Sequence, residues 1–184
     1  TMIKQLLSLS TGLFLIAQTA TADMWEDFAQ YRYNGKPQSD DHVAKKVEVA
    51  VQETPVKDYG ALEQKFIDVV ASEDSTQTAK ALSCRFLQQV GSDACVPAVA
   101  ELLDDKVLSH YARLVLERLE TDKADAALRK ALQNVPDQVK PGILVSLAFR
   151  KEKEALPDVY RLAKSDDASI AKTAILALGA IGGE

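Results

Sequence analysis

The stretch DACVPAVAELLDDKVLSHYARLVLERL, residues 93–119, contains the pattern that decides the fold. It consists of two apolar segments of helical spacing, separated by Asp104-Asp105. Similar residues return thirty and sixty positions later, as in Val96-Pro97, Ala126-Ala127 and Leu156-Pro157, in Leu102, Leu132 and Leu162, and in Val115, Val145 and Ile175. A fixed period of this length predicts stacked supersecondary units, each of them a helix pair.

The composition suits helices that pack on one another. The chain has 184 residues, of which 47% are hydrophobic and only 6% aromatic, so Ala, Leu and Val carry the apolar content. These residues favour close-packed helices over sheets, which predicts an all-α chain with a continuous core. The net charge is −5. A general nucleic-acid binder needs a basic face for phosphates, so we expect no nucleic-acid partner.

Residues 2–22 have the features of an export signal. Lys4 supplies a positive charge, residues 6–17 form an apolar run, and Ala20-Thr21-Ala22 provides the small residues that precede a cleavage site. A membrane span would need about 20 apolar residues, more than this run contains. The alternative is a buried N-terminal helix. We predict cleavage near Ala22-Asp23, and a periplasmic or secreted protein without a membrane span after cleavage.

Residues 23–57 are predicted to form helices that cap the repeat array. Terminal units need such a cover because their outer apolar face has no neighbour. Residues 34–37 break the chain, and Ser39-Asp40-Asp41 is predicted to cap a second helix that ends before Pro55. The alternative is that the crowded aromatic residues form a ligand platform; they include Trp25, Phe28, Tyr31 and Tyr33.

Four helix pairs are predicted to follow in residues 58–184. Asp93, Asp104-Asp105 and Asp166-Asp167 each precede a predicted helix, so we expect them to cap free amide groups rather than to bind a cation. Pro141 falls inside a predicted helix, where we expect a kink or a delayed start. The predicted units are 58–91, 93–121, 123–151 and 153–184.

The helix pairs resemble HEAT-type repeats, including the HEAT-like repeats named after phycobilisome lyases. Val96–Leu103 followed by Asp104-Asp105, together with Ala174–Gly182, carries the resemblance, which covers roughly residues 61–182. Cys84–Leu87 and Leu108–Arg113 are also similar to segments of exported bacterial HEAT-repeat proteins. The resemblance implies an α-solenoid of about four to five repeats that serves as a scaffold or binding surface. At Ala126-Ala127 the middle unit departs from its neighbours, so the first turn there is expected to be set differently.

In such an array the second helices line the concave side, where partners bind. The predicted core stripe of the helix in 106–119 is Leu108, Ala112, Val115 and Leu119. The candidate partner-binding residues point away from this stripe and from the equivalent stripes of the next two units; they are Ser109, His110, Arg113, Glu117, Lys140, Ile143, Leu147 and Thr173. The alternative for Ile143 and Leu147 is packing against a following repeat.

Groupings that would support catalysis are scarce. Neither His42 nor His110 has a partner at the spacing of a zinc site, and the sequence contains no nucleophile elbow, phosphate loop or dinucleotide fingerprint. Cys84 and Cys95 lack the spacing of a redox motif. We expect two buried thiols, with a disulfide as the alternative. The sequence therefore predicts no metal, no cofactor and no enzyme activity.

Two hypotheses about function follow. The first is a non-catalytic exported scaffold that binds a protein or polymer partner through its concave face. The second is an accessory repeat domain or subunit of a larger enzyme, such as a lyase, hydrolase or oxidoreductase. It is based on the end of the sequence, Gly182-Gly183-Glu184, which falls where a next repeat would begin. This hypothesis therefore expects a further domain after Glu184. The sequence predicts no particular oligomeric state.

Overall fold

The computed structural model describes residues 24–33 and 42–183, and within these ranges it consists of helices and turns without a β-strand. The prediction of an all-α chain is confirmed. The helices are α1 (24–29), α2 (Val43–Glu53), α3 (Tyr59–Ala71), α4 (Gln77–Val90), α5 (Val96–Ala100), α6 (Ser109–Arg118), α7 (Asp122–Asn134), α8 (Lys140–Phe149), α9 (Leu156–Leu162) and α10 (Ala168–Gly182). The predicted export signal and the predicted cap at Ser39-Asp40-Asp41 lie outside the described ranges. In the described part, no helix combines the length and the apolar character that crossing a membrane requires.

The helices pack as successive hairpins. Helix α3 packs on α4, α5 on α6, α7 on α8 and α9 on α10. Between hairpins, α4, α6, α8 and α10 contact one another in that order, and α5 contacts both α3 and α7. We call α4, α6, α8 and α10 the second helices, and α3, α5, α7 and α9 the first helices.

Buried positions recur along the second helices at intervals of 29, 31 and 31 residues. Two such positions are buried in all four hairpins. The first is occupied by Ala79, Leu108, Val139 and Ile170, and the second, one turn later, by Ser83, Ala112, Ile143 and Ala174. A similar series lies on the first helices or directly before them and consists of Phe66, Cys95, Ala124 and Ala155. The thirty-residue period of the sequence is thus an average of shorter and longer units.

Because the later units are 31 residues long rather than thirty, the thirty-residue alignment of their second helices is wrong by one residue. Val115 is fully buried, but Val145 and Ile175, aligned with it at thirty-residue spacing, are 53% and 59% exposed. An α-helix turns by about 100° per residue, so a shift of one residue moves a side chain out of the core. The predicted stripe of α6 itself is correct, since all four of its residues, Leu108, Ala112, Val115 and Leu119, are buried.

Prolines fix the start of three helices. Pro97, Pro141 and Pro157 stand at the second position of α5, α8 and α9, where the missing amide hydrogen breaks no helical hydrogen bond. The delayed start predicted at Pro141 is confirmed. The unit without a proline there has a longer first helix, α7, which begins at Asp122 after an N-cap by Thr121.

One of these predicted aspartate caps is present and two are not. The Oδ1 atom of Asp167 accepts two backbone amides at the start of α10. The Oδ1 atom of Asp105 accepts two amides at 2.7 Å in the turn before α6, but the N-cap residue of α6 is Leu108, so Asp105 does not cap that helix. The prediction that Asp93 caps a helix is wrong. The proline of that unit sets the start of α5 at Val96, too far along the chain, and Asp93 pairs instead with Lys123 at 3.4 Å.

Residues 24–33 cover one end of α3 and α4. Phe28 is fully buried, and its ring centroid lies 6.3 Å from that of Phe66 in an edge-on arrangement. The amide of Thr76 donates to the carbonyl oxygen of Ala29 at 2.8 Å, and its hydroxyl donates to that of Tyr31. Phe28 therefore has a covering role, and the ring is not part of an open platform.

Candidate partner-binding surface

Three of the eight residues predicted for partner binding lie in the core. Ile143 and Leu147 have no exposed surface, and Ser109 is buried as well. The prediction that these three side chains point away from the core is wrong. For Ile143 and Leu147 the reason is the 31-residue spacing, which brings Ile143 into register with Ala112 and Leu147 with Leu116. The structure shows the alternative arrangement, in which Ile143 and Leu147 pack against other helices.

Arg113 and Glu117 are engaged in contacts between α6 and α8. Arg113 Nη1 donates to the carbonyl oxygen of Gly142 and to Ser146 Oγ, both at 3.0 Å, and Ser146 in turn donates to Glu117 at 2.6 Å. Burial lowers the pKa of Arg113, while the carboxylate of Glu117 acts in the opposite direction. The polar groups of Arg113 and Glu117 are therefore occupied by contacts within the protein.

Of the remaining three predicted residues, His110 is exposed, while Lys140 and Thr173 are partly buried. Lys140 pairs with Asp137 at 2.6 Å, and the hydroxyl of Thr173 donates to the carbonyl oxygen four residues earlier. His110 is the most open of the eight, and its Nδ1 lies 3.3 Å from Arg113 Nη2. The predicted set therefore does not form one continuous exposed surface.

A different set of side chains faces away from the core on the second helices. It consists of two rows that cross α4, α6, α8 and α10, one formed by Arg85, Leu114, Val145 and Leu176 and the other, one turn later, by Gln89, Arg118, Phe149 and Ala180. We call these eight residues the second-helix surface. Val145, Phe149 and Leu176 are 53%, 70% and 65% exposed. The surface is polar on α4 and apolar on α8 and α10.

The sequence carried a signal for this surface that the thirty-residue alignment concealed. Helices α8 and α10 contain more apolar residues than one core-facing stripe requires, and a helix that is apolar on all sides needs a second covering. The spacing of 29 and 31 residues then places Val145 and Leu176 in one row.

An open groove of about 990 Å³ lies at the polar end of this surface, between α2, α4 and α6. Arg85 and Arg118 line it, and neither guanidinium group forms a hydrogen bond or ion pair with any residue that the structure describes. Glu48 also lines the groove but is paired with Lys45 at 2.9 Å. The other polar groups of the wall include Tyr31, Tyr33, Tyr111, Gln52, Gln88 and Gln89.

A smaller cavity of about 390 Å³ surrounds Arg150 at the end of α8. This residue pairs with Asp125 and donates from Nη1 to the carbonyl oxygens of Leu116 and Glu117 at 3.0 and 3.2 Å. The hydrogen bond with Asp125 raises the pKa of Arg150, although burial opposes it. Arg150 thus satisfies carbonyl groups that the C-terminus of α6 leaves unpaired, which is a structural role.

Cys84 and Cys95 are free thiols and both are fully buried, as expected. Burial raises the pKa of each thiol to about 12. The nearby Cys95 further raises the pKa of Cys84, and the nearby Glu63 further raises that of Cys95. The Glu63 carboxylate accepts the amide of Ser92 at 2.7 Å. Thiols with such pKa values remain protonated at neutral pH and are weak nucleophiles.

The described residues contain no group of three or more His, Cys, Asp or Glu side chains that could hold a metal ion. Neither the models of known protein families nor the curated proteins include a match to this chain. The geometry itself therefore identifies the candidate site, the second-helix surface and its groove.

Proposed function

We propose that this protein is a non-catalytic exported scaffold, an α-solenoid of HEAT-like helix pairs, that binds a protein partner along the second-helix surface. The contacts between successive second helices support the solenoid, since units of such an array pack on their neighbours. The sequence of residues 2–22 supports export.

One observation carries the proposal of a partner. Val145, Phe149 and Leu176 lie on the neighbouring helices α8 and α10, and each exposes more than half of its area. Large apolar side chains grouped on a protein surface mark interaction sites, whereas single ones need no explanation. Covering these side chains would contribute about 1 kcal/mol or more for each of them.

The proposal is tested by capture of a partner with a matched pair of proteins. The first is the Val145→Ser/Phe149→Ser/Leu176→Ser variant. The second carries Val56→Ser and Val107→Ser, which change exposed valines outside the four second helices. Each immobilised protein is exposed to the exported fraction of the producing cells, cross-linked and analysed by mass spectrometry.

We expect the wild type and the Val56/Val107 variant to retain the same partner and the triple variant to lose it. Because all the substituted side chains are exposed, thermal unfolding should be little changed in either variant, which is measured in parallel. Retention of the partner by the triple variant, or turnover by the purified chain alone, would overturn the proposal. A partner that is itself an enzyme would make this chain its accessory subunit.

A further inference from the structure

Within residues 24–33 and 42–183, Arg85 and Arg118 have no carboxylate partner, although the net charge of the protein is −5. Other arginines of the described part have carboxylate partners, among them Arg113, Arg129, Arg150 and Arg161. A guanidinium group forms paired hydrogen bonds with a carboxylate or phosphate. Two such groups left open in one groove therefore favour a ligand that carries negative charge.

The positions of these arginines set the spacing of the ligand's charges. Arg118 shares a row with Gln89, which lies one turn after Arg85 on the neighbouring helix. Adjacent helix axes are about 8–10 Å apart and one turn advances about 5 Å, which puts the backbone positions of the two arginines roughly 10 Å apart. An extended chain rises about 3.3 Å per residue, so carboxylates two or three residues apart reach both arginines.

The remainder of the surface favours a peptide over an acidic polysaccharide. Gln88 and Gln89 each offer an amide that donates and accepts, which matches the alternating groups of a peptide backbone. Leu114 connects the groove with the apolar side chains on α8 and α10. A peptide has aliphatic side chains that cover such a strip, whereas an acidic polysaccharide offers only the C–H faces of its rings.

From this charge complementarity we infer that the groove binds the acidic stretch of an extended peptide segment, whose apolar side chains continue onto Val145, Phe149 and Leu176. The inference rests on the proposed function and adds the chemistry of the partner. Arg85 and Arg118 bind the carboxylates, and the glutamine amides bind the backbone.

A phage-displayed library of random 12-residue peptides, selected on the full chain, tests this inference. We expect enrichment of sequences with two Asp or Glu residues two or three positions apart and apolar residues on one side of them. The same selection on the Arg85→Gln/Arg118→Gln variant should lose the acidic pair. Lys130→Gln is the matched control, because it removes one charge from an exposed site on α7.

Fluorescence anisotropy with the best selected peptide then measures the contribution of each arginine. Charge-assisted hydrogen bonds are stronger than neutral ones, so each single substitution should weaken binding about tenfold or more. Replacing the acids of the peptide by Asn or Gln should give a similar loss. Lys130→Gln should bind as the wild type does.

Enrichment of peptides without acids, absence of enrichment over a bare support, or equal affinity of the arginine variants would overturn the inference. Oligogalacturonate that binds more tightly than the peptide and is lost with the same arginines would also overturn it, in favour of an acidic polysaccharide. Partner capture that depends on Val145, Phe149 and Leu176 but not on the arginines would leave the proposed function standing and reject only the acidic peptide.

Discussion

Arg113 and Gly142 fit together across the contact of α6 and α8, because the guanidinium group occupies the space where a side chain at position 142 would begin. A Cβ atom there would lie 2.8 Å from Arg113 Nε. We expect Gly142→Ala to cost about 1 kcal/mol, since the loss of charge-assisted hydrogen bonds exceeds the gain in helix propensity.

The reverse is expected in an Arg113→Ala background. There the added methyl group meets no guanidinium, and Gly142→Ala should stabilise α8 by up to about 1 kcal/mol. Urea unfolding of the four proteins of this double-mutant cycle measures the coupling. Equal effects of Gly142→Ala in both backgrounds would mean that the two residues do not depend on each other.

Arg150→Ala should be among the more destabilising single substitutions outside the apolar core. The side chain of Arg150 is 8% exposed and that of Asp125 17%, so removing the arginine leaves a mostly buried carboxylate and several carbonyl groups without a partner. We expect a loss of about 3 kcal/mol in the free energy of unfolding. Arg161→Ala, which breaks the exposed pair with Asp158, should cost less than about 1 kcal/mol and serves as the control.

Lys151 is the second residue after the end of α8, and its φ of 53° is in the left-handed region. Its amide donates to the carbonyl oxygen of Ala148 at 3.1 Å and that of Glu152 to Leu147 at 3.0 Å, which defines a Schellman motif. Because Gly adopts this conformation without strain, Lys151→Gly should raise the free energy of unfolding by about 1 kcal/mol. Lys151→Ala keeps the Cβ atom and should bring no such gain in thermal or urea unfolding.

The buried thiols should make the fold less stable at alkaline pH. Cys84 and Cys95 have pKa values of about 12 in the folded chain, against about 8.5 for an unfolded thiol. Their stabilising contribution is complete below about pH 8.5 and is lost as the pH rises toward 12, because the unfolded chain releases its protons first. The free energy of unfolding should fall more steeply above about pH 8.5 for the wild type than for Cys84→Ala/Cys95→Ala. Parallel curves from urea titrations would contradict this expectation.

Two buried serines should respond in opposite directions to replacement by alanine. The hydroxyl of Ser83 has no hydrogen-bond partner among the described residues, and the next hairpin has Ala112 at the equivalent position. Ser83→Ala should therefore stabilise the protein by about 1 kcal/mol. Ser146 is bonded to Arg113 and Glu117, so Ser146→Ala should cost about 1 to 3 kcal/mol. Similar effects of both changes in differential scanning calorimetry would argue against these contacts.

The sequence alone was sufficient for the helices and for the core stripe of α6. Apolar residues at helical spacing, such as Leu108 and Ala112, are buried because packing of one face stabilises a helix irrespective of its exact partners. The position of Pro141 also predicted the start of α8, since proline constrains its own backbone.

The orientation of α8 and α10 could not be predicted in the same way. Whether Val145 or Leu144 enters the core depends on the residue at which the preceding turn ends and the helix begins. A turn that is one residue longer or shorter rotates every side chain of the helix by about 100°. The loops that make a unit 29 or 31 residues long have no strong signal of their own. The predicted surface therefore contained Ile143 and Leu147, which are buried, whereas the observed surface of α8 contains Val145 and Phe149, which are exposed.

The two ends of the second-helix surface differ in character, with Arg85 on α4 and Leu176 on α10. A peptide bound along it as proposed has only one favourable direction, because turning it around would set its carboxylates on Phe149 and its apolar residues on the guanidinium groups. The proposed scaffold would then also determine which terminus of its partner projects beyond each end, and so where anything attached to that partner is held.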